Sequence, residues 1–171
     1  MANAAPPGLE ACPGCGLAYP QSDGPTHAYI GASAGCWARY GELLALEYSD
    51  IALMPWHRLT VDAYAAQHPG VPERRSAQSV HVHLTGLHLV LERDIDPQLV
   101  PKLLQKAADG RIHEWLDPPG LQTPVGLPDA IAAAVTGRYP ETVRAWAEAV
   151  WRAWEPHHAT IRAEAAALLS S

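Results

Sequence analysis

Glycine and proline crowd the first 35 residues of the chain, where Pro13, Gly14, Gly16, Pro20, Gly24, Pro25, Gly31 and Gly35 recur at short intervals. Proline lacks an amide donor and glycine loosens the backbone, so neither a helical nor an alternating pattern survives that spacing. An irregular segment of this length is uncommon in a folded domain unless something ties it down. The three cysteines of the chain, Cys12, Cys15 and Cys36, all lie in it or directly after it.

Beyond this segment the pattern turns helical. Ser33 is placed to cap a helix from Ala34 to about Tyr48, in which Trp37, Tyr40, Leu43, Leu44 and Glu47 recur at helical spacing. Thr60 is a second capping candidate, for a short helix from Val61 to His68 closed by Pro69 and Gly70. Ser76 precedes the clearest helix, Ala77 to Arg93, with Val80, His83, Leu84, Leu87 and Leu91 on one stripe. Pro97 opens a helix to about Lys106. Proline and glycine return between Asp109 and Pro128, a connection for which Trp115 is the expected anchor. Asp129 to Thr136 reads as an Ala-rich helix. Pro140 to Leu169 reads as a long one bent at Pro156, with Val143, Trp146, Val150, Trp154, Ile161 and Leu168 inward. Strand signals are scarce and no repeat is present. The expected fold is all-α: a single domain over 1–171, with an irregular flap over 1–35 and a bundle of four or five helices over 36–171.

With 171 residues, 48% hydrophobic and 18% charged, the chain has material for a core that needs no staples. A metal is therefore optional for the bundle, but not for the flap. Four basic residues stand against seven acidic ones in residues 1–85, and eight against eleven in the rest, so each half is net acidic. No basic run exceeds Arg74-Arg75, which argues against nucleic acid as a partner. Arg74 and Arg75 can grip a carboxylate or phosphate, but a solvated turn is the favoured reading. Apolar stretches fall far short of the ~20 residues that span a bilayer. The N-terminus lacks the basic and apolar regions of a secretory signal. The expected compartment is cytoplasmic, with no membrane or nucleic-acid partner and a small molecule as possible substrate. The oligomeric state is not legible.

Cys12-Pro-Gly-Cys15-Gly16 is a knuckle whose glycines let backbone N–H groups turn toward sulfur, and two such thiolates cover half of a zinc tetrahedron. Cys36 falls in the first turn of an expected helix, where the helix dipole favours a thiolate. His27 lies between them and completes a Cys3His set, so the expected zinc ligands are Cys12, Cys15, Cys36 and His27. Three ordinary cysteines, or a redox pair, are the alternatives, although the second wants a strand-to-helix junction.

Nine histidines against twelve lysines and arginines is an unusual ratio. His81 and His88 share a helix face, whereas His83 points about 160 degrees away from His81 and onto the apolar stripe, where a polar ring needs a partner. A core imidazole bonded to a neighbouring helix is the plain reading of His83. His68, His83 and His157 or His158 lie on three different expected helices, and facing side chains of a bundle are a way to build a metal or acid–base site. His68, His83 and His157, with Asp62 to orient one of them, are the candidate catalytic residues. Trp146, Trp151 and Trp154 read as packing.

Cys-Pro-Gly-Cys-Gly, Gly24-Pro-Thr-His, Gly35-Cys-Trp, Leu59-Thr-Val-Asp with Gln67-His-Pro-Gly70, and Pro156-His-His together resemble an uncharacterised family of short bacterial proteins, a domain of unknown function. The resemblance covers most of residues 12–162 and is weakest over 94–140. It implies that Cys12, Cys15, His27, Cys36, Asp62, His68, His83, His157 and His158 belong to the pattern, while His81 and His88 do not. It implies no activity.

Two functions remain open. One is a zinc-dependent enzyme, a hydrolase, lyase or isomerase acting on a small polar molecule. The other is a non-catalytic module in which a closed zinc site pins the flap and the outer surface binds a protein. Coordination separates them: four protein ligands point to the module, whereas three plus water, or converging histidines, point to an enzyme.

Overall fold

The computed structural model describes residues 6–105 and 112–170. Residues Met1–Ala5, the expected helix end at Lys106 and the start of the following connection at Asp109 lie outside them. The described residues form seven α-helices and one small antiparallel sheet. The all-α expectation holds, with more helices than the expected four or five.

The N-terminal segment is not wholly irregular. Leu9–Ala11 (β1) and Ala18–Pro20 (β2) pair antiparallel around the knuckle, with Glu10 opposite Tyr19. Strands of three residues are too short to leave an alternation in sequence. Ile30 then bridges Pro69, and Gly31 donates its N–H to the His68 carbonyl at 2.8 Å, so the segment is tied to the end of a helix remote in sequence.

Helix α1 (Ala34–Ser49) begins where Ser33 places it: the Ser33 hydroxyl accepts the Cys36 N–H at 3.2 Å. Helix α2 (His57–Gln67) starts earlier than expected, because the 3-10 turn Met54–Trp56 leads directly into it. Thr60 is therefore not a cap. Its hydroxyl donates to the buried Glu47 carboxylate at 2.6 Å, which also accepts from Tyr139 at 2.5 Å and meets His57 Nδ1 at 2.6 Å. One buried acid thus links three segments, and its cost of desolvation is met by three partners.

Helix α3 (Arg74–Leu91) also starts ahead of its expected cap, so Ser76 lies inside it. It packs against α2, the short α4 (Val100–Gln105), α6 (Tyr139–Ala153) and α7 (His158–Leu169). A helix surrounded in this way has no single buried stripe. His81 and His88 are buried with Val80, Leu84 and Leu87, while His83 is the half-buried one. That reverses the expected burial order of these three histidines, because the stripe argument assumes one apolar face.

The expected long C-terminal helix is divided by the 3-10 turn Glu155–His157 at Pro156, as proline dictates. Trp146, Trp154, Tyr139, Val143 and Ile161 are fully buried there. The connection before α5 (Leu127–Ala134) is held by buried Leu116 and Leu121 and by the Gln67 amide, which donates to the Leu121 carbonyl at 2.9 Å. Trp115 packs only partly against the core.

Candidate metal centre

Three short pieces of backbone bring four ligand groups together. The knuckle turns between β1 and β2, with the Cys12 N–H bonded to the Leu17 carbonyl at 2.8 Å and the Gly16 N–H to the Cys12 carbonyl at 2.9 Å. Gly14 lies so close to the end of α2 that a Cβ would come 2.4 Å from the His68 ring and 2.8 Å from the Gln67 carbonyl. Only a glycine lets the knuckle seat there. Cys36 enters from the first turn of α1, and His68 follows α2 directly as its C-cap.

The result is a group formed by Cys12, Cys15, Cys36 and His68, whose ligand atoms all lie within 4.8 Å of one another. Their exposures are 2%, 4%, 0% and 0%, so all four are buried, with Cys12 and the knuckle backbone forming part of the wall of a surface recess of about 740 Å³. The cysteines are free thiols rather than disulfide-bonded. His68 Nδ1 donates to the Tyr64 carbonyl at 2.7 Å, which fixes the tautomer and leaves Nε2 directed at Cys36 Sγ, 3.4 Å away. A backbone carbonyl behind a metal-binding imidazole is the usual way of holding its ring. The Tyr64 hydroxyl lies 3.5 Å from Cys36 Sγ. Tyr19 brings a second hydroxyl against the same sulfurs, and that buried oxygen has no hydrogen-bond partner among the described residues.

The electrostatics fit a cation. Hydrogen bonds from Cys15 and Cys36 push the Cys12 thiol far down in pKa, and the same shared protons, first with Cys12, push Cys36 far up. Burial works against a charged His68, yet the Cys12 and Cys15 sulfurs outweigh it and raise its pKa to about 9. Burial, then the charge of Cys36, raises the pKa of both Tyr64 and Tyr19. Negative charge that cannot spread over three packed thiols is what a bound divalent ion neutralises. Three soft sulfurs and one imidazole nitrogen are a donor set for zinc-like ions.

The fourth member is His68, and His27 is not part of the group. The His27 ring packs on Tyr29 and Trp37 at centroid distances of 4.3 and 5.1 Å, and its Nδ1 faces the Tyr29 N–H. The expected trio of His68, His83 and His157 is dispersed over three places. His68 stands with the sulfurs, His157 Nε2 bonds the Asp117 carbonyl at 2.9 Å on the exposed side, and His83 Nδ1 meets Asp62 at 2.7 Å. Asp62 does orient a histidine, on α3 rather than at the end of its own helix. His158 is buried, stacked on Trp151 at 3.7 Å and bonded to its carbonyl at 2.8 Å.

A second histidine group, His81, His113 and Glu164, was not apparent in the sequence. His81 Nδ1 faces the Glu164 carboxylate at 2.9 and 3.0 Å and Nε2 faces the Glu114 carbonyl at 2.8 Å. Burial acts to raise the Glu164 pKa, but the hydrogen bond and charge of His81 hold it below the usual carboxylate value. Both nitrogens of His81 are thus engaged with acceptors, as in a packing interaction between α3 and α7.

Fold and site together define a helical protein with an N-terminal knuckle and a buried Cys3His group able to hold a metal ion. The chain belongs to a family of unknown function, DUF5946, whose family model matches residues 10–155. No curated protein and no solved structure matches it. Among the described residues, no helix is long and apolar enough to cross a membrane.

Proposed function

We propose that the protein binds one zinc ion through Cys12, Cys15, Cys36 and His68, and that this ion is structural: it fastens the N-terminal segment to the ends of α1 and α2. The observation that carries this reading is the closure of the site. Four buried protein ligands fill a tetrahedron and leave no coordination position for water or substrate, whereas a catalytic zinc keeps one open. The ion supplies charge neutralisation and a fixed tetrahedral geometry when bound. The chain supplies the rest: Tyr64 holds the His68 tautomer and brings its hydroxyl to Cys36 Sγ, and Gly14 admits the knuckle.

This favours the non-catalytic role for the metal over a metal-dependent hydrolase, lyase or isomerase. Zinc stoichiometry by plasma mass spectrometry on the purified protein tests it. One zinc per chain is expected for the native sequence and for His27→Ala, with loss in Cys12→Ser and His68→Ala. Retention in His68→Ala, or a cobalt-substituted spectrum lacking thiolate charge-transfer bands, contradicts the proposal.

A further inference from the structure

Away from the sulfurs, two recesses meet at His83. One, of about 210 Å³, is walled by the aromatic rings of His27, Tyr29, Trp37, Tyr40 and Tyr64. The other, of about 480 Å³, is walled by Arg75, Gln78 and Ser79, and both include Tyr29 and His83. Arg75, Ser79 and His83 succeed one another at four-residue steps along one face of α3, which spaces the first and last by about 12 Å along the helix axis. The long arginine side chain spans much of that distance. Among the described residues Arg75 is exposed and makes no ion pair.

His83 is held for presentation rather than for charge balance. Asp62 is fully buried and already takes Arg58 in a forked pair, Nε at 2.9 Å and Nη2 at 2.6 Å, which neutralises it. Its Oδ1 also accepts His83 Nδ1–H at 2.7 Å. The seat is built into the sequence of α3, because a Cβ on Gly86 would stand 2.2 Å from Asp62 Oδ2. A carboxylate at Nδ1 fixes the ring and its tautomer and leaves Nε2 as the free acceptor. The ring is 16% exposed and lines both recesses, and among the described residues Nε2 has no partner.

From this geometry we infer that the double recess is a binding site for a small planar organic anion, an aromatic or heteroaromatic acid. Its acid group pairs with Arg75, its ring lies among Tyr29, Trp37 and His27, and a hydroxyl or ring N–H donates to His83 Nε2. A guanidinium recognises carboxylate or phosphate through paired N–H groups, and aromatic walls take a flat ring with little loss of freedom. Asp62 is a positioning residue that acts through His83. None of Cys12, Cys15, Cys36 and His68 lines either recess, and Tyr64, which walls the smaller one, is the residue that adjoins both places.

The test is nuclear magnetic resonance of the zinc-loaded protein carrying ¹⁵N-labelled histidine, titrated with 4-hydroxybenzoate, benzoate and phenyl phosphate. A saturable shift of the His83 ring signals by at least one of them below about 10 mM is expected. Arg75→Gln should weaken that probe about tenfold, and His83→Gln should abolish the extra affinity of 4-hydroxybenzoate over benzoate. Asp62→Asn should move the His83 tautomer signals toward a mixture of both forms. Should that variant fail to fold, the first two decide the matter. No saturable shift with any of the three probes, or affinities unchanged by Arg75→Gln, overturns the inference, whatever the zinc content proves to be.

Discussion

Between β1 and α1 the chain buries Tyr19, Ile30 and Ala32 beside the two knuckle cysteines, whereas α6 alone buries Tyr139, Val143, Trp146, Val150 and Trp151. The two regions have comparable need of order but very different means. Each indole or phenol in α6 removes a large apolar area from water and packs against α2, α3 and α5, so that part of the molecule holds itself by burial. The N-terminal segment has little such area, many rigid or loose backbone positions, and two thiols pressed against that of Cys36 in α1. On the proposed reading, it is the part whose order depends on a cation. A core that holds itself by burial and an edge that the proposed ion fastens are separable by experiment.

The largest expected effect is on the metal-dependent side. Chelation, or Cys12→Ser, should lower the melting temperature by about 15 °C, since the ion contributes several kcal/mol of binding energy to the folded state. Limited proteolysis should then cut within residues 13–33 first, with the bundle surviving as a protected fragment. Simultaneous loss of the whole helical signal would break the comparison. Next in size is Trp146→Ala. It opens a large cavity and orphans the Gln67 oxygen that now accepts the indole N–H at 2.9 Å, at an expected cost of about 3–5 kcal/mol by chemical denaturation. Zinc content should stay at one per chain as long as the protein is folded.

A smaller effect concerns the clip between α3 and α7. Glu92 accepts two bonds from Arg162, at 2.8 and 2.6 Å, and one from the Trp151 indole at 3.0 Å, and it meets His88 Nδ1 at 2.9 Å. Arg162 is the main reason its pKa falls from 4.5 to about 2, against burial, with Trp151 and His88 adding to the effect. A carboxyl with a depressed folded value stabilises fully above its unfolded value and loses that contribution as pH falls through the folded one. Glu92→Gln should therefore lower the melting temperature by about 2 °C at pH 7, solvent screening keeping the effect small. The difference from the native protein should shrink between pH 4.5 and about 2, as followed by circular dichroism. Smallest of all is His27→Ala: less than about 1 kcal/mol and no change in metal, because its half-buried ring packs against Tyr29 and Trp37 and makes one long contact with the Tyr29 N–H.

The same contrast governs what the sequence revealed. Helix α1 was legible almost to the residue, because Ser33 is a true cap and the apolar spacing is local. The bend at Pro156 was legible for the same reason. The interior places of Thr60 and Ser76 were not, since a capping hydroxyl looks the same in sequence as one that bonds a buried acid, as Thr60 does, or one buried without a partner among the described residues, as at Ser76. The burial of His81 and His88 is not legible in sequence, because burial of α3 on several sides depends on the helices that pack against it. Three members of the four-residue group are visible in sequence as cysteines. His68 was not read as the fourth because the knuckle, Cys36 and His68 meet only through the packing of α1, α2 and the sheet. The available signal was its place: a histidine closing a helix just before Pro69 and Gly70, at the turn where Ile30 bridges back.

Zinc-edge X-ray absorption of the purified protein tests the proposed sulfur-rich zinc site most directly. Three sulfurs at about 2.3 Å and one imidazole nitrogen at about 2.0 Å are expected, with the nitrogen contribution lost in His68→Ala and retained in His27→Ala. A shell containing a water oxygen, or one in which His27→Ala and not His68→Ala removes the nitrogen, would contradict it.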